Sequence, residues 1–117
     1  MKQLINIHIL FLILLIAACA KTDTPQLSIT EEKFLDILVD VHIAEGSIQN
    51  IYGPEKDSLI KLYYQQIYKI HDISETTFNE NMKLIRRNPP YVEQLYKKVV
   101  DRLSKLENES EDTPKGK

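Results

Sequence analysis

The sequence predicts an all-α fold: a single small domain of about four helices that follows a lipoprotein signal peptide and a short tether. Three observations carry that expectation. Apolar residues recur at three- and four-residue spacing along four successive segments, and nothing alternates with period two as a half-buried strand would. Two of those segments open on one pattern, Ile29-Thr30-Glu31-Glu32-Lys33-Phe34 and Ile73-Ser74-Glu75-Thr76-Thr77-Phe78. Tyr52-Gly53-Pro54 and Asn88-Pro89-Pro90 punctuate the remainder.

Residues 1–18 read as a signal peptide. Lys2 gives a minimal positive start, Ile9 to Ile16 is an unbroken apolar run, and Ala17-Ala18 supply the small side chains a peptidase needs before Cys19. A bilayer span needs about 20 apolar residues. Here Asn6 and His8 interrupt the stretch, and Lys21 and Asp23 follow it. Cys19 is the only cysteine, so an intrachain disulfide is excluded, and its place at the end of the run marks it as a lipidation site. As a new N-terminus it would carry a thioether-linked diacylglycerol and an amide-linked acyl chain such as palmitate. Each buried methylene adds roughly 0.8 kcal/mol, so several chains make a lasting anchor. Similarity to Gram-negative sorting signals, in which an aspartate after the cysteine favours the inner membrane, places this chain with its Ala20 in the outer membrane, in the periplasmic or the surface leaflet.

Residues 19–28 form the lipidated cysteine and a polar tether containing Pro25. The helical domain spans 29–106. Thr30 caps the first helix, expected over 31–51, with Glu31 and Glu32 complementing its positive end and Ile29 and Phe34 placed as a hydrophobic staple. Its buried stripe is Phe34, Ile37, Leu38, Val41, Ala44 and Ile48, widened by Leu35 and Val39, with Asp36 and Asp40 on the solvated side. The second helix, 55–71, buries Leu59, Ile60, Tyr63, Ile67 and Ile70 and carries Lys69 and His71 at its negative end. Ser74 caps the third, 75–87, whose face is Phe78, Met82 and Ile85. Asn88 caps the fourth, 89–106, with Pro89 at its first position and a stripe of Val92, Leu95, Tyr96, Val99, Leu103 and Leu106. The tail 107–117 has no aliphatic or aromatic residue, and its composition predicts disorder.

The chain has a formal net charge of −2, and loss of Lys2 with the signal peptide makes the acidic excess larger by one. Nucleic acid is not an expected partner, since binding it requires a basic surface. The length suits one modest core and no second lobe.

The signal, the string Ile37-Leu38-Val39-Asp40-Val41-His42-Ile43-Ala44-Glu45, the block from Tyr63 through His71-Asp72-Ile73-Ser74 to Phe78, then Asn88-Pro89 and Tyr96, resemble the small lipoproteins grouped as domain-of-unknown-function family 4296, found in Bacteroidota. The resemblance covers roughly residues 29–106. It implies the envelope localisation and brings no activity. It also leads one to expect glycine after His71, where this chain has Asp72, a residue less at ease in the left-handed conformation.

Candidate chemistry is sparse. His42 and Glu45 share a helix face three residues apart, two ligands where a metal needs three or four, so a hydrogen-bonded boundary role is favoured over metal or haem ligation. Asp36 and Asp40 lie one turn apart and read as a solvated face rather than an acid–base pair. The serines lack a nucleophile-elbow context, and three glycines assemble no phosphate loop. No enzyme activity, metal or cofactor is expected. Tyr64, Tyr68 and His71 form a second stripe on the second helix, either the edge of a small core or a groove for a peptide or partner helix. Lys83, Arg86 and Arg87 are a solvated helix end or a rim that meets an acidic partner or lipid headgroups. Two classes of function follow: a non-catalytic binding or assembly module, anchored in the envelope through Cys19 and meeting an envelope protein or peptide, and a small ligand, metal or haem carrier or enzyme using His42 and Glu45.

Overall fold

In the computed structural model, which describes Met1 and residues 24–111, the chain forms α1 (Glu31–Ser47), α2 (Pro54–Ile70), α3 (Glu75–Arg86) and α4 (Pro89–Glu111), with no strand among the described residues. The expected signal peptide beyond Met1, Cys19 and residues 112–117 lie outside the described residues.

The repeated capping pattern is real. Thr30 has extended backbone and its Oγ1 accepts from Lys33 N at 3.2 Å; Ser74 does the same for Thr77 N at 3.0 Å. Each hydroxyl satisfies one of the amide groups that a helix start leaves without a partner. α1 stops at Ser47, four residues before the expected end at 51. The cause is local: Gly46 weakens the last turn, Ser47 Oγ donates to Ala44 O at 2.7 Å, and successive turns bond Gln49 N to Gly46 O and Ile51 N to Ile48 O. That bend drives Ile48 inward, to 1% exposure.

Gly53, at φ 73, precedes α2, with Pro54 in its first turn. The far end closes in a Schellman motif: Ile73 N donates to Tyr68 O at 3.0 Å and Asp72 N to Lys69 O at 3.3 Å. Asp72 takes the left-handed conformation, φ 48, where glycine was expected. α4 opens on Asn88, whose Oδ1 accepts from Tyr91 N at 3.2 Å, and runs to Glu111. The tail expected to be disordered from 107 is therefore helical as far as Glu111. Extending an existing helix carries no nucleation cost, and Lys105 with Asp101 at 2.8 Å supports the preceding turn although nothing there is buried.

α1 lies in the middle, packed against α2 and α4, and α4 packs against α3. Phe34 and Phe78, each the fourth residue of its capped helix, meet in the core at 6.2 Å between ring centroids. The α1 stripe is buried largely as expected. Two other stripes are shifted. Of the α2 stripe only Ile67 is fully buried, and Ile70 is 73% exposed; on α4 the inward row is Tyr91, Leu95 and Val99, which turns Tyr96 and Leu106 outward.

Candidate functional site

The segment expected to be a free tether through residue 28 is docked at its end. Leu27 and Ile29 pack on the core, and between them Ser28 locks onto Asn81 of α3. Asn81 is completely buried. Its Oδ1 accepts from Ser28 N at 2.8 Å, while Nδ2 donates to Ser28 Oγ and to Thr77 O, each at 2.7 Å. A buried amide is tolerated only when such bonds replace its lost water. Asn81 sits at a core position of the Phe78, Met82, Ile85 stripe, and that polar interruption is the one sequence signal that marks it.

On the other flank of α3 a groove of about 580 Å³ opens between α1, α3 and α4. Leu38, Val41, Met82, Leu95 and Val99 make it apolar. Its rim carries His42 and Glu45 from α1, Lys83 and Arg86 from α3, Tyr96 from α4, and Tyr64 from α2. Tyr64 O–H donates to Glu45 at 2.7 Å; burial first, then this carboxylate, raise the phenol well above its ordinary range. Helical spacing explains the two flanks. Thr77 and Asn81 project about 200° away from Asn79 and Lys83, so clasp and groove use opposite sides of one helix.

The expected Tyr64, Tyr68, His71 face is divided. Tyr64 and Tyr68 meet edge to face at 5.9 Å, and both pack on Phe78, at 6.1 and 5.5 Å. They cover the core edge, with Tyr64 alone reaching the groove. Burial, then Glu75, raises the Tyr68 phenol. His71 caps the end of α2 and its Nε2 donates to Asp40 Oδ2 at 2.6 Å, away from the tyrosines' groove. Arg87 caps α3 and does not line the groove. Of the six partner-face candidates the groove thus gathers Tyr64, Lys83 and Arg86. It also brings His42 and Glu45 together, though Glu45 is held by Tyr64; no group of three or more metal-capable side chains exists among the described residues.

Asp36 and Asp40 stay at the surface as expected, but each has a partner. Asp40 holds His71, and Asp36 joins Glu32 in gripping Arg102 of α4. Glu31 continues this row: it accepts from Tyr91 O–H at 2.8 Å and pairs with Lys98. Lys98, then the Tyr91 hydroxyl, hold the Glu31 carboxyl below its usual range; burial and Glu31 push Tyr91 up to about 12. The first turn of α1, read from sequence as a complement to the helix dipole, also ties α1 to α4.

The family model described as Domain of unknown function (DUF4296) matches residues 25–109, which takes in the docked segment, α1 to α3 and most of α4. No curated protein and no solved structure matches the chain.

Proposed function

The chain belongs to the DUF4296 family, and from that premise we propose that it is a lipoprotein whose helical domain serves as a non-catalytic binding or assembly module in the cell envelope, held in the outer membrane through lipid on Cys19. The observation that supports this reading is the groove of about 580 Å³: it is concave, apolar at its base and ringed by polar side chains, as binding sites for ligands and partner segments are. Anchoring adds to such a site. Confinement near a membrane partner raises the effective concentration, so that weak contacts suffice.

Cys19→Ser tests the anchor. The parent chain extracted from membranes is expected to show added acyl mass by intact-mass spectrometry, and the variant to appear unprocessed or soluble; a parent chain without acyl mass refutes the lipoprotein reading. A second reading, a small-ligand, metal or haem carrier or an enzyme, draws on His42 and Glu45 lining the same groove. Ligand or metal retained through purification and lost in His42→Ala would favour it over the binding module.

A further inference from the structure

The cations of α4 and those at the end of α3 are treated differently by the fold. Lys97, Lys98, Arg102 and Lys105 each meet a carboxylate. Among the described residues Lys83 and Arg86 have no carboxylate partner, yet both stand on the rim of the groove. Their place in the last turn of α3 favours positive charge there without consuming it, because the helix dipole supplies only a diffuse field and leaves the hydrogen-bond donors of both side chains open. Lys83 and Arg86 outnumber Glu45, the rim's carboxylate, which already accepts from Tyr64, so in a chain of formal net charge −2 this rim is a local reversal of sign beside an apolar depression.

We propose that the groove takes a segment of a partner protein that joins apolar side chains to acidic ones, with Lys83 and Arg86 reading the acid and the half-buried Leu38 and Met82, flanked by the exposed Val92 and Tyr96, receiving the apolar residues. The proposal rests on the binding-module reading and names the partner's chemistry. Three features fit that occupant. Met82 is unbranched and adapts to differently shaped side chains. Val92, 37% exposed, and Tyr96, 59% exposed, offer apolar and aromatic surface at the mouth, where interfaces concentrate their anchors. The acidic excess of the chain as a whole disfavours an acidic segment elsewhere, so electrostatics directs it to this rim. A lipid headgroup would use the same charges, but it has no need of a shaped apolar depression between three helices.

The test uses the full chain in nanodiscs of zwitterionic lipid, with empty discs as blank. Two peptides carry the same leucine stripe, one flanked by glutamates and one by lysines. The glutamate peptide is expected to bind about tenfold more tightly, a preference that shrinks as salt is raised, and to perturb the resonances of Met82 and Tyr96. Lys83→Glu with Arg86→Glu should invert the preference, and the milder Lys83→Gln with Arg86→Gln should abolish it while leaving the helical circular dichroism unchanged. Equal binding of both peptides at the groove leaves the binding module standing and overturns its acidic partner. No binding of either overturns both. Perturbation of Met82 and Tyr96 by discs of anionic lipid, with no peptide added, assigns the rim to the membrane and overturns the proposal.

Discussion

Asn81→Leu isolates the clasp between the N-terminal segment and α3. The substitution keeps the side chain's size and removes its polarity, deleting three hydrogen bonds, two with Ser28 and one to Thr77 O. At a net 0.5–1.5 kcal/mol each, the bonds sum to roughly 1.5–4.5 kcal/mol. The lower part of that range applies, because Ser28 lies at an exposed position where its freed groups regain water and Thr77 O keeps its place in the helix ladder. The expected cost is about 2 kcal/mol, which lowers the melting temperature by about 10 °C for a domain of this size. Asn81→Asp should cost more near neutrality, since it places a carboxylate in a site with no exposure and replaces both donors. That carboxyl's folded-state pKa is raised by burial, so the stability of this variant is greatest below the unfolded carboxyl pKa and falls as pH rises through the folded value. Urea unfolding followed by circular dichroism reads the stability, and limited proteolysis reads the docking of residues 24–29. If Asn81→Leu matches the parent in both, the clasp contributes nothing and the reasoning fails.

Three further outcomes follow from particular residues. Asp72→Gly should stabilise the domain by about 1 kcal/mol in chemical denaturation, since glycine meets φ 48 without the steric cost of a Cβ; a destabilised variant would mean that the Asp72 side chain supplies more than the backbone strain removes. Because the folded-state pKa of Glu31 is depressed, its contribution is present above the ordinary carboxylate value and lost as pH falls through the depressed one; Glu31→Gln should flatten the urea midpoint across that acidic window, and added salt should shrink the difference. Ile70→Asn should change stability by less than about 0.5 kcal/mol despite its place in the α2 apolar pattern, as measured by thermal melting, because the side chain is 73% exposed.

Local signals in the sequence were sufficient for most of the architecture. Thr30, Ser74 and Asn88 set their helix starts through bonds to amides three residues on, and such short-range geometry is readable from residue type and order. The end of α1 was less legible because Ser47 competes for a carbonyl only once the last turn has formed. Composition announced that residues 107–111 bury nothing, which is so, but burial and helicity are separate questions where a helix already exists. The candidate site was legible only in part. Lys83, Arg86, Tyr64, His42 and Glu45 stand out by type, whereas their meeting in one groove depends on how the helices cross, α2 included, since it brings Tyr64 to Glu45. Pairings across long sequence separations, Glu31 with Lys98 and Asp40 with His71, leave no mark in spacing, so Glu31 read only as a complement to the helix dipole and Asp40 only as part of a solvated face.

The Ser28 clasp bears on how the domain carries mechanical load. A pull applied along the chain from its N-terminal side reaches Ser28 before it reaches Thr30, and part of the tension passes through Asn81 into the middle of α3. Helix ends fray at the least cost of any part of a fold. Without the clasp, force would fall wholly on the capped first turn of α1 and peel it open amide by amide. With it, tension is shared between two helices, and on α3 it enters through the flank turned away from Lys83 and Arg86. Tension that enters from the N-terminal side is thereby kept off the side of α3 that shapes the groove.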